Sequence, residues 1–260
     1  IAADASWFLV HGDIALDIGC NDGTLLKSYR SGIFTAGFEP AKNLVEHARE
    51  NANLVFNDFF NAAAWRERMG SKRAQVVTSI AMFYDLDDPN SFVHDVSEVM
   101  AKDGRWIIQM ADLKSMLERT MWDNICHEHL EYYSLTSLES LLASHGLVVE
   151  HVSQNDTNGG SIRVRVAKRG FENMHGSVGL FREDEQAMLL DTMAPYEAFS
   201  RRVKEGNEKL VGFVRGAIAE GKTVCVCAST NANSSASGVG LVPSMRSTAC
   251  ASSRSASSCW

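Results

Sequence analysis

The sequence predicts an α/β fold: a Rossmann-like, mainly parallel sheet with helices on both faces and an antiparallel strand pair at its end. Three features lead to this prediction. Apolar and amphipathic segments alternate from residue 14 to about residue 110, glycines follow the first apolar segment, and two alternating segments lie close together after residue 146. Alternation of strands with helices is typical of a parallel sheet, because parallel neighbours need a crossover connection.

The first five strands are predicted from short apolar runs bounded by turn residues. Amphipathic segments between them are predicted helices, near residues 22–31, 41–51, 60–70 and 89–101. Pro40 suits the first turn of the second helix, where its missing N–H removes no hydrogen bond. The predicted strands span residues 14–18, 33–38, 53–56, 75–80 and 106–110.

A second group of elements closes the sheet. Ser134 is a plausible N-cap for a helix that ends near Gly146. Residues 147–152 and 161–167 alternate as strands, and the Asn- and Gly-rich linker 155–160 favours an antiparallel return. Five parallel strands followed by an antiparallel pair is the layout of class I methyltransferases, so we expect that fold.

The remainder of the chain predicts long helices and then a tail. Residues 182–220 favour one or two helices, with a possible interruption at 205–207, and 222–227 begin another strand. Residues 228–260 are rich in Ser and Ala and carry no acidic residue, so we expect a disordered tail or a shifted reading frame in a truncated chain. The predicted units are a cofactor domain (1–170), a helical linker with the start of a C-terminal Rossmann-like domain (171–227), and the tail (228–260).

Composition limits the possible partners. The 260 residues are 45% hydrophobic and 22% charged, with a net charge of −7, as in an ordinary globular protein. Nucleic-acid binding is not expected, because no basic stripe is present. No apolar run approaches the roughly 20 residues that cross a bilayer, so no membrane partner is expected. Six cysteines without a C-x-x-C pair favour a reducing, cytoplasmic location. The oligomeric state is not predicted.

The loop after the first strand carries the strongest functional signal. Gly19 and Gly23 are four residues apart, and Asn21 stands where the dinucleotide fingerprint G-x-G-x-x-G has its second glycine. Asp22 follows, and a carboxylate beside a pyrophosphate would be repulsive. The loop is therefore predicted to bind a nucleoside that has no phosphate.

Two further acids identify the expected ligand. Glu39 ends the second strand and is placed to accept hydrogen bonds from both ribose hydroxyls. Asp17 and Asp22 suit an amino group and a positive centre. S-adenosylmethionine (SAM) has a ribose, an ammonium and a sulfonium, and is the predicted cofactor. An ordinary tight turn with a solvated Glu39 is the simpler alternative.

Residues 122–134 hold the densest chemistry outside that loop. His127, Glu128 and His129 follow the fifth strand and should lie over the carboxyl edge of the sheet, where ligands bind in open α/β folds. An imidazole is the usual proton acceptor near neutral pH. Cys126 with both histidines gives a zinc site as one alternative; a surface loop is another. No metal is predicted.

The resemblance becomes specific at this point. Residues 123–134 (DNICHEHLEYYS), the loop 17–23 and residues 158–163 (NGGSIR) resemble the SAM-dependent nucleotide-sugar C-methyltransferases, in particular the 3-C-methyltransferases of TDP-4-keto-deoxyhexoses. The resemblance covers residues 10–227. It implies a complete protein with an N-terminal zinc-binding domain, absent from this chain, and a C-terminal domain of which this chain has only the beginning.

The resemblance also implies roles for particular residues in methylation next to a ketone. His129 is expected to be the base, with Glu128 beside it and His127 on the substrate; Tyr84 is expected near the sugar, and Tyr132 and Tyr133 as donors to the oxyanion. O- or N-methylation of another metabolite and a catalytically incomplete SAM-binding fragment are the alternatives. The expected cofactor residues are Asp17, Gly19, Asn21, Asp22, Gly23, Glu39, Pro40, Asp58, Phe59 and Ser79, and the expected substrate residues are Asn158, Gly159, Gly160, Ser161 and Arg163.

Overall fold

The computed structural model describes residues 1–225 and 240–242. Seven strands form one sheet: β1 (Ile14–Ile18), β2 (Phe34–Phe38), β3 (Leu54–Phe56), β4 (Ala74–Ile80), β5 (Met100–Ala111), β6 (Leu147–Asn155) and β7 (Ser161–Lys168). Their order is β3-β2-β1-β4-β5-β7-β6, with β7 antiparallel to both of its neighbours and the other pairs parallel. The predicted class I methyltransferase fold is therefore confirmed.

Helices cover both faces of the sheet. They are α1 (Ala2–Ser6), α2 (Thr24–Lys27), α3 (Lys42–Asn51), α4 (Ala62–Met69), α5 (Pro89–Val99), α6 (Leu113–Arg119), α7 (Leu135–Ser144), α8 (Ser177–Ala187) and α9 (Ala194–Ala219). The α1, α2 and α3 helices pack on one face, and α4, α5, α7 and α8 pack on the other. A separate pair, β8 (Thr223–Cys225) and β9 (Gly240–Val242), is antiparallel.

Side chains alternate between the two faces along each strand. In β1, Leu16 and Ile18 belong to the larger core, whereas Ala15 belongs to the smaller one. The larger core contains Trp65 and Trp106, both fully buried, and each indole N–H has an acceptor inside the protein. Satisfying these N–H groups removes the cost of burying them without a partner.

Several element boundaries differ from the sequence prediction. The chain between residues 182 and 220 forms two helices that separate at residues 188–193, and α9 runs unbroken through 205–207. The second crossover helix begins at Lys42, two residues after Pro40, so the proline precedes the helix. The predicted tail, 228–260, lies outside the described residues except for β9.

No helix in the described ranges combines the length and the apolarity that spanning a bilayer requires. The division of the chain at residue 170 stays a prediction.

Glu150 ties the end of the sheet to the segment that follows it. Its side chain is fully buried, and Oε1 accepts hydrogen bonds from the Nε atoms of Arg105 (2.8 Å) and Arg165. Its Oε2 accepts the Asn173 N–H at 2.7 Å. One carboxylate thus compensates two guanidinium groups in β5 and β7 and fixes the chain beyond β7.

The guanidinium groups of Arg105 and Arg165 have little access to water, so without the Glu150 carboxylate their charge is poorly compensated. We therefore expect Glu150→Gln to lower the free energy of unfolding by about 3 kcal/mol. Guanidinium unfolding followed by circular dichroism measures the change. The matched control is Glu139→Gln, which breaks the more exposed pair with Arg182 and should cost less than about 1 kcal/mol. Equal losses in the two variants would contradict the importance of the buried cluster.

Candidate functional site

The glycine loop between β1 and α2 is shaped by left-handed backbone conformations. Gly19 has φ +73° and Gly23 has φ +79°, values that favour glycine. A Cβ built on Gly23 would lie 2.9 Å from the Cβ of Asn51 in α3, so the loop also packs too tightly there for a side chain. Asn21, between the glycines, is left-handed as well, with φ +54°. The loop therefore approaches the sheet edge as a tight backbone cradle.

Glu39 closes this cradle at the end of β2. Its two carboxylate oxygens accept the Asn21 N–H and the Ala41 N–H, both at 2.8 Å. The side chain is 6% exposed. Two backbone donors hold the carboxylate in place, and each oxygen keeps a lone pair for another donor. The geometry is that of a fixed acceptor beside the glycine loop.

Asp17 lies in β1, just before the glycine loop. It is buried at the end of β1, and Oδ1 accepts the Thr78 hydroxyl at 2.5 Å. Burial raises the pKa of the Asp17 carboxyl to about 7, against the opposing effect of the Thr78 hydrogen bond. Asp22 lies at the surface of the loop, and hydrogen bonding from Thr24 lowers the pKa of its carboxyl. The two acids therefore differ in protonation near neutral pH.

The residues after β3 divide between surface and core. Phe59 is 75% exposed, whereas Phe60 packs edge-to-face on Phe38 at 5.1 Å between ring centroids. The exposed Phe59 ring is therefore available to a planar ligand, whereas Phe60 packs against the core. Asp58 is exposed and accepts the Phe59 N–H. The backbone carbonyl of Pro40 accepts a hydrogen bond from the Asn57 side chain.

Ser79 lies away from these groups. Its hydroxyl is buried and accepts the indole N–H of Trp106 at 3.1 Å. The Ser79 side chain thus points into the core, and only the backbone of this residue is available at the carboxyl end of β4. The sequence could not foresee this orientation, because every residue of β4 from Val76 to Ser79 is buried and no alternation distinguishes the two faces.

The loop after β4 connects the glycine cradle with the second predicted cluster. A Cβ built on Gly19 would lie 3.4 Å from Cγ of Met82, so the two loops are in contact. A 3-10 turn (Phe83–Asp85) follows. Its Tyr84 is buried, and burial raises the pKa of the phenol to about 12. Tyr84 therefore stays protonated at neutral pH.

Residues 120–134, here named the His loop, are tied to this turn. The N–H groups of Leu130 and Glu131 both donate to the Tyr84 carbonyl, at 3.0 and 3.1 Å. The His129 ring lies against the Tyr84 ring, with 4.4 Å between centroids. The imidazole consequently lies at the same edge of the sheet as the glycine cradle, as the sequence predicted.

The protonation of the two His129 nitrogens follows from one hydrogen bond. Nδ1 lies 2.8 Å from the backbone carbonyl of Asn124. A carbonyl only accepts, so Nδ1 carries the proton and the neutral ring has its lone pair on Nε2. The Asp85 carboxyl lies near this ring. Desolvation raises the pKa of Asp85, and the interaction with His129 opposes that rise. The ring is thus a base with a defined basic nitrogen.

Other side chains of the His loop are arranged differently. His127 is 90% exposed and its Nε2 lies 3.1 Å from Oε1 of Glu128. Hydrogen bonding, chiefly from its own backbone N–H, lowers the pKa of Glu128. The Tyr132 hydroxyl donates to the Asn124 carbonyl at 3.2 Å. Tyr133 is buried, and its hydroxyl donates to Glu131.

The ligand atoms of Cys126, His127 and His129 do not form a compact group. In residues 1–225, the cluster whose donor atoms lie mutually close enough for a metal ion is His94, Asp95 and Glu98 on α5. Its Asp95 accepts the Ala62 N–H at 2.8 Å, so that carboxylate is already in use at the start of α4.

The predicted substrate residues form the hairpin between β6 and β7. Asn158 and Gly159 are left-handed, and Cβ atoms on Gly159 and Gly160 would lie within 2.8 Å of side chains of α6 and the His loop. The hairpin is therefore packed against the start of the His loop. Ser161 is buried and donates to the Thr157 carbonyl.

Arg163 lies on the α1 side of the sheet. Its guanidinium donates to Gln109 at 2.8 and 3.0 Å and to Asp4 at 2.6 Å. It lines a cavity of about 440 Å³ between α1 and the end of the sheet. The substrate contact expected for Arg163 would have to replace the ion pair with Asp4.

Comparison with known proteins agrees with this arrangement. Residues 8–152 match the family model described as a methyltransferase domain, and residues 156–253 match a C-methyltransferase C-terminal domain. The C-methyltransferase NovU of Streptomyces niveus is 30% identical over 221 residues, which are 83% of this chain and 52% of NovU. The chain thus spans about half the length of this curated relative.

Solved structures agree at the level of the fold. A Bacillus halodurans C-125 protein described as a methyltransferase superposes with a TM-score of 0.51 at 13% identity, over 65% of this chain and 98% of that one. The plantazolicin methyltransferase BpumL, in complex with a triazolic desmethylPZN analog and SAH, gives a TM-score of 0.50 at 12% identity, over 65% of this chain and 83% of that one. Because the first family match covers more than half of the chain, the protein belongs to the SAM-dependent methyltransferases.

Proposed function

We propose that this chain is the methyl-transferring part of a C-methyltransferase that acts on a nucleotide-linked keto-deoxysugar. The observation that carries the proposal is the position of His129, tied to the loop after β4 beside the glycine cradle. The 30% identity to a C-methyltransferase supports transfer to carbon. The His-Glu-His segment supports it as well, because methylation of carbon needs a base for a C–H proton.

The cradle fits the expected cofactor on chemical grounds. Glu39 offers a fixed, doubly anchored carboxylate for the ribose hydroxyls. Asp17 and Asp22 place negative charge near the cradle, which suits an ammonium or a sulfonium and disfavours phosphate. Phe59 offers an exposed ring for the adenine, with Asp58 beside it for the exocyclic amine.

Bound there, SAM supplies an electrophilic methyl group on sulfur. The protein's part is to generate the nucleophile. Nε2 of His129 removes the proton from the carbon next to the ketone, and the electrons of that C–H bond move into an enolate. The enolate carbon would then take the methyl group, the new C–CH₃ bond forming as the S–CH₃ bond breaks and the thioether leaves. Tyr84 is protonated and adjacent to His129, and is a donor for the enolate oxygen.

Tyr132 needs one rearrangement to serve in the same way. Its hydroxyl proton is committed to the Asn124 carbonyl, so it would donate to substrate only after leaving that acceptor. The Asn158–Arg163 segment is proposed to contact the sugar or its nucleotide. Its position beside α6 and the His loop supports this, because Ser161 at the start of β7 pairs with Ala111 at the end of β5, which puts the turn 158–160 at the carboxyl edge of β5.

Two measurements on the full chain test the proposal. Calorimetry with SAM should detect binding at one site. A TDP-4-keto-deoxyhexose in deuterated water should then exchange hydrogen for deuterium next to its ketone, followed by methyl transfer to that carbon. Cofactor binding with neither exchange nor transfer would indicate a cofactor-binding fragment, and methylation of oxygen or nitrogen would refute the assignment to carbon.

His129→Ala should abolish deuterium exchange at the sugar carbon, a loss of at least about 100-fold, because the base is removed. The affinity for SAM should change less than about twofold, since the cradle is built from other elements. Nuclear magnetic resonance of the sugar measures exchange. His145→Ala is the matched control, because that imidazole interacts with Asn90 away from the cradle. Unchanged exchange in His129→Ala would remove this residue from its role.

The affinity for SAM should depend on pH through Asp17. Its pKa is raised to about 7, and a cationic ligand favours the ionised carboxylate, so binding below that pH must release a proton. The association constant should therefore fall by up to about tenfold for each pH unit below 7. In Asp17→Asn the affinity should be weaker but flat with pH. Asp87→Asn, at an exposed position, should keep the wild-type profile; a sloping profile in Asp17→Asn would contradict the assignment.

A further inference from the structure

Arg202 of α9 contacts the point at which the His loop begins. Its Nε donates to the Thr120 hydroxyl at 2.8 Å, and its Nη2 donates to the carbonyl of Leu117. The two bonds together connect α9 with the last turn of α6, across more than 80 residues of sequence. A planar guanidinium with two acceptors is held in a defined orientation.

Thr120 has an unusual backbone conformation. It is the C-cap of α6 with φ +57° and ψ +46°, in the left-handed region. A β-branched residue rarely adopts that conformation, which persists only where the surroundings enforce it. The hydrogen bond from Arg202 to the Thr120 hydroxyl is such a constraint. The backbone of Thr120 therefore sets the direction in which the chain leaves α6 and enters the His loop.

Few residues and hydrogen bonds separate Thr120 from the His129 imidazole. The N–H of Trp122 donates to the Thr120 carbonyl, two residues earlier, at 3.0 Å, and a 3-10 turn (Trp122–Asn124) follows directly. The carbonyl of Asn124 is the acceptor that orients Nδ1 of His129. A change in the backbone at Thr120 is thus transmitted through one tight turn to the group that aims the base.

The other end of the His loop is fixed by α8. Glu185 is 3% exposed, and its carboxylate accepts the Leu135 N–H (2.5 Å), the Thr136 N–H (3.0 Å) and the Thr136 hydroxyl (2.7 Å). It therefore caps α7 immediately after the loop. Between the two ends, Tyr132 packs on the apolar cluster that joins α6 to α9.

We propose that Arg202 is a positioning residue, which holds Thr120 in its left-handed conformation and thereby fixes the place of His129 over the sheet edge. The expected effect of Arg202 on the rate of methylation rests on the proposed function. The anchoring of the loop itself does not, because it follows from contacts that are present without substrate. Helices α8 and α9 are therefore parts of the catalytic architecture, although neither provides a catalytic residue.

The test compares Arg202→Met with Arg201→Met in the full chain. Methionine keeps much of the apolar stem and removes the donors, whereas Arg201 is the preceding exposed residue of α9. In Arg202→Met, kcat for methyl transfer should fall about 10- to 100-fold, as expected for a small displacement of a catalytic group. KM for SAM should change less than about twofold. Arg202→Lys, which keeps the positive charge on a single donor nitrogen, should restore part of kcat, and Arg201→Met should resemble the wild type.

Hydrogen exchange provides a second measurement that needs no activity. The amides of Leu130 and Glu131, which donate to Tyr84, should exchange at least about fivefold faster in Arg202→Met, while the amides of β1 and β2 stay unchanged. Thr120→Val removes the acceptor, and its effect on kcat should not add to that of Arg202→Met, because both break one contact.

Unchanged exchange of these two amides in Arg202→Met would overturn the proposal, as would full kcat in an active enzyme despite faster exchange. If the wild-type chain transfers no methyl group to the keto-sugar, the proposed function fails. The exchange measurement then still decides whether Arg202 anchors the loop.

Discussion

The pair of hydrogen bonds that joins the His loop to the carbonyl of Tyr84 is the interaction on which the site depends. The cradle is made by the loops that follow the first strands, whereas the imidazole belongs to a loop that leaves the sheet after β5. Two N–H groups converge on one carbonyl, which has two lone pairs and accepts both. This junction brings the His129 imidazole to the sheet edge that carries the glycine cradle.

The three acids around the glycine cradle differ in their surroundings. Glu39 is held by backbone donors, the partly buried Asp22 has a pKa lowered by hydrogen bonds from Thr24, and burial raises the pKa of Asp17 to about 7. A ligand with an ammonium and a sulfonium can be matched by such a set, whereas a pyrophosphate cannot. The chemistry of the cradle and the family match therefore point the same way from independent starting points.

Much of the fold could be predicted from the sequence because the relevant signals are local. Apolar runs bounded by turn residues gave the strands of the sheet, and Ser134 correctly marked the start of α7, where the structure has a capping box. The interruption expected at Gly206 is absent. A glycine inside a helix costs only about 1 kcal/mol relative to alanine, which the rest of a 26-residue helix can offset.

The parts of the site that were missed depend on contacts between distant residues or on backbone atoms. The Tyr84 and Asn124 carbonyls would look the same with almost any side chain at these positions. Nothing in the local pattern around Ser79 tells which face of β4 it occupies, and only the neighbouring Trp106 explains it. The partner of Arg163 is Asp4, 159 residues earlier, and no spacing rule connects them.

The capping of α7 by Glu185 has a consequence for the order in which the protein matures. Every strand of the main sheet has been synthesised by residue 168, but the carboxylate that closes the end of the His loop comes 17 residues later, and the guanidinium at its beginning comes later still. A nascent chain can therefore assemble its sheet before it can lock the loop. The glycine cradle can therefore form before the contacts that fix the His129 imidazole, which are complete only when translation has passed the first turns of α9.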